Sequence, residues 1–136
     1  FHTIPMCSPS RAVLMTGLEA TRAGYGTMGE FIAPNQRGRP GYEGRLKREA
    51  VTLAEALAGA GYATVMAGKW HLGEDGPDQH GFERSWALLD GASGHFDDVG
   101  YSPQRPRARY LQDGGPVTPP AGFYSSDFYT DRVIEA

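Results

Sequence analysis

Gly61-Tyr62-Ala63-Thr64-Val65-Met66-Ala67-Gly68-Lys69-Trp70-His71-Leu72-Gly73 is the stretch on which the fold turns, read with the segment just before it. Upstream, Thr52-Leu53-Ala54-Glu55 has the form of a capping box, in which Thr and Glu satisfy each other's free backbone N–H groups at a helix start. Ala56-Leu57-Ala58 continue an apolar helix, and Gly59 and Gly61 close it, so the pattern predicts a helix over 53–60. Ala63 to Ala67 is a short apolar run stopped by Gly68, which suits a buried strand. Helix, tight glycine turn and buried strand form an αβ step. That step predicts an α/β fold, a mainly parallel sheet flanked by helices.

The same stretch carries chemistry. A buried strand delivers Lys69 and His71 to the carboxyl end of a sheet, where α/β proteins place their sites. Residues two apart on an extended segment point the same way, so Lys69 and His71 are expected to reach one pocket. Lys69 offers a point positive charge for an anion, and His71 a group that exchanges protons near neutral pH. The plain alternative is a lysine snorkelling at a strand end beside a hydrogen-bonded loop histidine.

Near the start lies Pro5-Met6-Cys7-Ser8-Pro9-Ser10-Arg11-Ala12-Val13-Leu14-Met15-Thr16-Gly17, with the only cysteine of the chain. Ser8 reads as an N-cap and Pro9 as a first helical residue, so a helix is expected over 9–15, with Gly17 just past its end. Arg11 follows Cys7 by one helical turn and so shares its face. A free cysteine is either a reactive nucleophile or a small buried hydrophobe.

Composition narrows the classes. The chain has 136 residues, 13 Lys and Arg against 16 Asp and Glu, and a net charge of -3, so nucleic acid and anionic membranes gain no support as partners. No apolar run approaches the ~20 residues of a membrane helix. A single cysteine excludes an internal disulfide, and the four histidines show no zinc-site spacing. With 19 Gly and 10 Pro, long loops are expected, above all from Leu18 to Arg48. Further on, 84–89 reads as a second strand, 108–112 before Asp113-Gly114 as a hairpin arm, and a last helix as starting near Ser126 or Asp127. The chain opens without Met and ends in a helical pattern, and we expect residues 1–136 to be one piece of a longer protein.

Both quoted stretches resemble, at every restricted position, the two signatures of the type I (formylglycine-dependent) sulfatases, and they stand in that family's order. Gly24-Tyr25-Gly26-Thr27-Met28, Gly41-Tyr42-Glu43-Gly44, Gly81-Phe82-Glu83-Arg84 and Gly122-Phe123-Tyr124-Ser125-Ser126-Asp127 also look like segments of bacterial arylsulfatases. The resemblance implies an alkaline-phosphatase-like catalytic domain, of which 1–136 is a part, and hydrolysis of sulfate esters. It implies that Cys7 is converted to formylglycine by a formylglycine-generating enzyme. The hydrated aldehyde would be the nucleophile on a divalent metal, usually calcium, with Cys7 as one metal ligand. By resemblance Arg11 holds the formylglycine oxygens, Lys69 binds the sulfate, and His71 takes a proton during sulfate release. The remaining metal ligands, an Asp-Asp pair upstream and an Asp/Asn pair downstream, fall outside the chain.

Asp97-Asp98-Val99-Gly100 copies the upstream metal pattern only superficially, and a solvated loop is the better reading. Gly24 to Gly29 has G-x-G-x-x-G spacing but follows a helix, so it reads as a turn. His95, beside Phe96, is a candidate for the substrate mouth; His2 and His80 carry no signal, and Trp70 and Trp86 are expected in the core. The basic residues between Arg37 and Arg48 read as interspersed surface charge. Two rivals remain: a phosphonate monoester or phosphodiester hydrolase of the same superfamily, and a non-catalytic binding module whose Cys7 stays a thiol. The substrate would be a small sulfated molecule, and the compartment is open between bacterial cytoplasm and periplasm.

Overall fold

The capping box forms as the sequence predicts. In the computed structural model, which describes residues 4–136, Thr52 Oγ1 accepts from the Glu55 N–H at 3.1 Å and Glu55 Oε2 accepts from the Thr52 N–H at 2.7 Å. The expected signal-free His2 lies outside the described residues. Helix α3 then runs over Leu53–Gly59 and ends at Ala60. Strand β1, Val65–Lys69, begins two residues later than predicted and includes Gly68 and Lys69. It lies parallel to β2, Arg84–Leu88, with Val65 opposite Arg84 and Lys69 opposite Leu88.

Beyond this pair the expected mainly parallel sheet is corrected to a mixed one. The four-stranded sheet has the order β1-β2-β5-β6, and its β2-β5 and β5-β6 pairs are antiparallel. β5 is Tyr110–Gln112 and β6 is Gly115–Val117. Their two-residue connection, Asp113-Gly114, has φ values of 48° and 82°, the left-handed pair that a tight primed turn requires. A hairpin so joined is antiparallel of necessity, whereas a parallel neighbour needs a long crossover. Between β2 and β5 the chain instead makes a separate two-stranded ribbon, β3 (Val99–Ser102) with β4 (Arg105–Arg107).

Helices cover both faces of the sheet. Successive residues of a strand point to opposite sides, and β2 and its end divide accordingly. Ala87 and Leu89 join Trp70, Leu72, Tyr25 and Ala12 in one core, on the side of α1 (Cys7–Thr16) and α2 (Ala20–Ala23). Trp86 and Leu88 join Tyr110 and Phe123 in the other, against Phe128 and Tyr129 of α4 (Ser125–Ile134). Trp70 and Trp86, 0% and 5% exposed, are core residues as expected. The rings of Phe128 and Trp86 meet edge-on at 4.5 Å, a geometry worth about 0.5–1.5 kcal/mol beyond area burial.

The glycine-rich segment from 18 to 48 is stitched to the core rather than free. Gly26 N–H donates to Gly41 O, Gly44 N–H to Gly24 O, and Leu46 N–H to Leu72 O. A Cβ at Gly26 would stand 2.7 Å from the Tyr42 ring, so that crossing tolerates only glycine. The Gly24–Gly29 run is therefore a packed turn, with a short 3-10 turn over Gly29–Phe31 just after it.

Candidate functional site

Helix α1 begins at Cys7, two residues before the predicted start. Its N-cap is Met6, extended at φ -140°, and not Ser8. The physical reason is tertiary: the Ser8 hydroxyl is buried and turned to the His71 ring, at 3.2 Å from Nδ1 and 3.4 Å from Nε2. Met6 offers no side-chain cap at this positive end of the helix dipole. At the other end Gly17 takes φ 67° and donates to Val13 O, as the sequence predicts.

The two signatures meet through Arg11. Its Nε donates to Trp70 O at 2.7 Å and its Nη2 to Lys69 O, which ties α1 to the end of β1. Burial pulls the Arg11 pKa down, and the neighbouring Cys7 opposes that. Cys7 is half-buried at the head of the helix, and its thiol donates to Met28 Sδ at 3.2 Å.

Lys69 and His71 do not share a pocket, contrary to the two-residue alternation expected of an extended chain. The strand ends at Lys69, and His71 takes φ 53°, a left-handed backbone that turns its side chain away. Such strain in a non-glycine residue persists only where surrounding contacts enforce it. Lys69 lines a cavity of about 240 Å³ together with Ser93, His95, Tyr110 and Ser125. His95 is placed there by Ser125, with Nδ1 2.6 Å from Oγ. His71 lines a second cavity, about 290 Å³, with Ser8, Glu30, Asp90, Arg105 and Arg109. Cys7 borders neither cavity.

Sequence reading missed the residues that surround His71. Glu30 Oε1 lies 2.8 Å from His71 Nε2, across 41 positions of sequence. The Tyr101 hydroxyl donates to the same Glu30 oxygen at 3.3 Å. Burial alone would raise the Glu30 pKa, but the hydrogen bonds from His71 and Tyr101, with the His71 charge, hold it below the usual carboxylate value. Asp90, 5% exposed, accepts from Arg105 Nη1 at 2.6 Å and from Arg109 Nη2 at 2.7 Å. Glu74 bridges the same two arginines from outside. The pKa values of Asp90 and Arg105 are both raised, with opposite effects on charge: burial pushes Asp90 up against the pull of Arg105, whereas the hydrogen bond and charge of Asp90 outweigh burial at Arg105 and stabilise its cation. The desolvation falls on the carboxylate, because the Arg105 side chain stays 45% exposed. No local signal marks these residues, since the partners lie in distant segments of the chain.

Asp97 and Asp98 have structural partners: Asp97 Oδ1 accepts from Val99 N–H and Asp98 pairs with Arg107. Among the described residues no three His, Cys, Asp or Glu side chains converge to hold a metal. Calcium takes six to eight oxygen ligands, and Cys7 beside the Met28 thioether does not supply such a set. The residues present therefore do not make a calcium site by themselves. No helix is long and apolar enough to cross a membrane among the described residues.

The sulfatase family model matches residues 1–136. The chain is 38% identical over 139 residues to an arylsulfatase of Klebsiella aerogenes, covering 98% of this chain and 29% of that protein. It is 36% identical over 148 residues to an uncharacterized sulfatase of Schizosaccharomyces pombe, covering 99% of this chain and 27% of the other. Arylsulfatase A of Homo sapiens is 43% identical over 86 residues, 60% of this chain and 15% of that one. The crystal structure of Ps i-CgsB shares the fold, with a TM-score of 0.65 and 23% identity over 96% of this chain and 32% of that chain. The chain thus spans less than a third of the length of these relatives. Its two signatures, joined by Arg11 at the head of α1, and the family match over its whole length show that this chain belongs to the sulfatase family, whose members generally use a metal and a formylglycine.

Proposed function

We propose that the protein containing this chain hydrolyses sulfate esters, with small aryl sulfates as the substrate class, and that residues 1–136 are part of its catalytic domain. The single observation that carries this reading is the Arg11 side chain, which clasps the Lys69 and Trp70 carbonyls and so sets the head of α1 beside the end of β1. An ester anion approaching there meets a helix N-terminus without a side-chain cap and the Arg11 charge, while Lys69 and His71 line separate cavities. Oxidised to formylglycine by a formylglycine-generating enzyme, Cys7 supplies a hydrated aldehyde as nucleophile. Lys69 binds the sulfate and stabilises charge that develops in the transition state. His71 accepts a proton as sulfate leaves. His95, which borders the Lys69 cavity, contacts the substrate. Calcium is the metal this reading calls for, with the modified Cys7 as one ligand and the others outside the chain.

The test uses the full-length protein from its native host. Mass spectrometry of the peptide around Cys7 should show the aldehyde in place of the thiol. Parallel assays on an aryl sulfate and a phenylphosphonate monoester should favour the sulfate. A preference for the phosphonate would move the substrate to phosphonate or phosphodiester chemistry. An unmodified thiol, with the modifying enzyme present, would point to a non-catalytic binding module.

A further inference from the structure

We infer that Glu30 is the positioning residue for His71: it holds the Nε2 proton and leaves Nδ1 as the basic nitrogen of the ring. This rests on the sulfate-ester reading above and adds to it a residue that neither signature contains. Glu30 sits on the 3-10 turn Gly29–Phe31, and its Oε1 approaches Nε2 at 2.8 Å, within the range of a well-formed hydrogen bond. An ionised carboxylate can only accept, so Nε2 must carry the proton of that bond. A neutral imidazole has one N–H, and Nδ1 is then the free base.

Nδ1 lies beside the first turn of α1. The Ser8 hydroxyl lies 3.2 Å away, and Ser8 directly follows Cys7 on α1. Ser8 Oγ is almost as close to Nε2, at 3.4 Å, so it lies along the in-plane lone pair of neither nitrogen. That contact alone does not choose a tautomer; the Glu30 contact does. Other groups around the pair act on Glu30 or on the ring position. Tyr101 donates to the same carboxylate oxygen, and Asp90 and Arg105 border the cavity. Gly91 leaves the ring its space, since a Cβ there would stand 2.9 Å from Cε1. A histidine with one nitrogen fixed by a carboxylate and the other free is the general arrangement for a directed proton transfer.

The full-length protein with 15N-labelled histidine decides the matter, with Glu30→Met and Glu30→Gln as variants. At alkaline pH the wild-type spectrum should show His71 as the Nε2–H tautomer, and Glu30→Met should lose that preference. On an aryl sulfate, Glu30→Met should lower kcat about 100-fold and leave KM within about twofold. Glu30→Gln, whose amide oxygen can still accept from Nε2–H, should recover about 10-fold of that loss. A purely structural role for Glu30 would instead move KM and the thermal midpoint together with kcat. An Nδ1–H tautomer in the wild type, or wild-type kcat in folded Glu30→Met, would overturn the assignment. If the wild-type protein cleaves no sulfate ester, the functional reading fails, while the wild-type tautomer still decides the role of Glu30.

Discussion

At the scale of single residues, His71 departs furthest from what its sequence neighbourhood implies. Lys69 and His71 are two apart, and on a regular strand they would face one side. The left-handed backbone at His71 sends the two side chains into different cavities. Gly91 is part of what makes room for the imidazole. Gly91→Ala would put a methyl group 2.9 Å from Cε1 and push the ring off Glu30. We expect kcat of the full-length protein on an aryl sulfate to fall about 100-fold, the scale set by a displacement of about 1 Å in a catalytic group. Steady-state kinetics beside a thermal melt checks this; wild-type kcat in the alanine variant would show that the ring adapts. Glycine 91 could not be read in this role from sequence, because the ring it shelters is brought up by another part of the chain.

At the scale of elements, the best-read pieces are those whose signals are local. The Thr52 capping box, the Gly17 stop of α1 and the Asp113-Gly114 hairpin each depend on neighbours a few positions away, and each forms as expected. Thr52 also donates to His80 O at 2.7 Å, which fastens the start of α3 to the crossover after β1. Thr52→Ala should therefore cost about 1–2 kcal/mol, the upper part of the range for a lost N-cap. Denaturant unfolding with an unchanged slope would measure it as a shifted midpoint. A shift of a few tenths would mean that water replaces both bonds. The start of α1 was misread for a related reason: Ser8 has the chemistry of a cap, but the His71 ring takes its hydroxyl.

At the scale of the whole molecule, the sheet and the ribbon are joined by charge as well as by packing. Asp90, at the end of β2, holds Arg105 of β4 and Arg109 just before β5. This fastens the β3-β4 ribbon across the His71 cavity. Asp90→Asn would leave two guanidiniums short of a carboxylate and free the ribbon. Hydrogen exchange of the full-length protein should then rise in residues 93–107, while β1 and β2 keep their protection. Because both arginines are more than a third exposed, the global loss should be modest, about 1–2 kcal/mol. Equal loosening of the central strands would show that the network supports the core and not the ribbon alone.

The amino-acid sequence by itself determined the family, the α/β class, the capping box of α3, the Gly17 stop of α1 and the Asp113-Gly114 turn, and the residues that bear charge or nucleophilic character. Those features rest on spacing within a few residues, where capping, turn geometry and side-chain periodicity act. Tertiary structure alone decided that the sheet is mixed, that Ser8 serves His71 instead of a helix end, that Lys69 and His71 part company, and that Glu30 meets His71 across 41 positions. The reason is physical: hydrogen bonds and ring contacts between distant segments are chosen by packing, which short-range pattern does not encode.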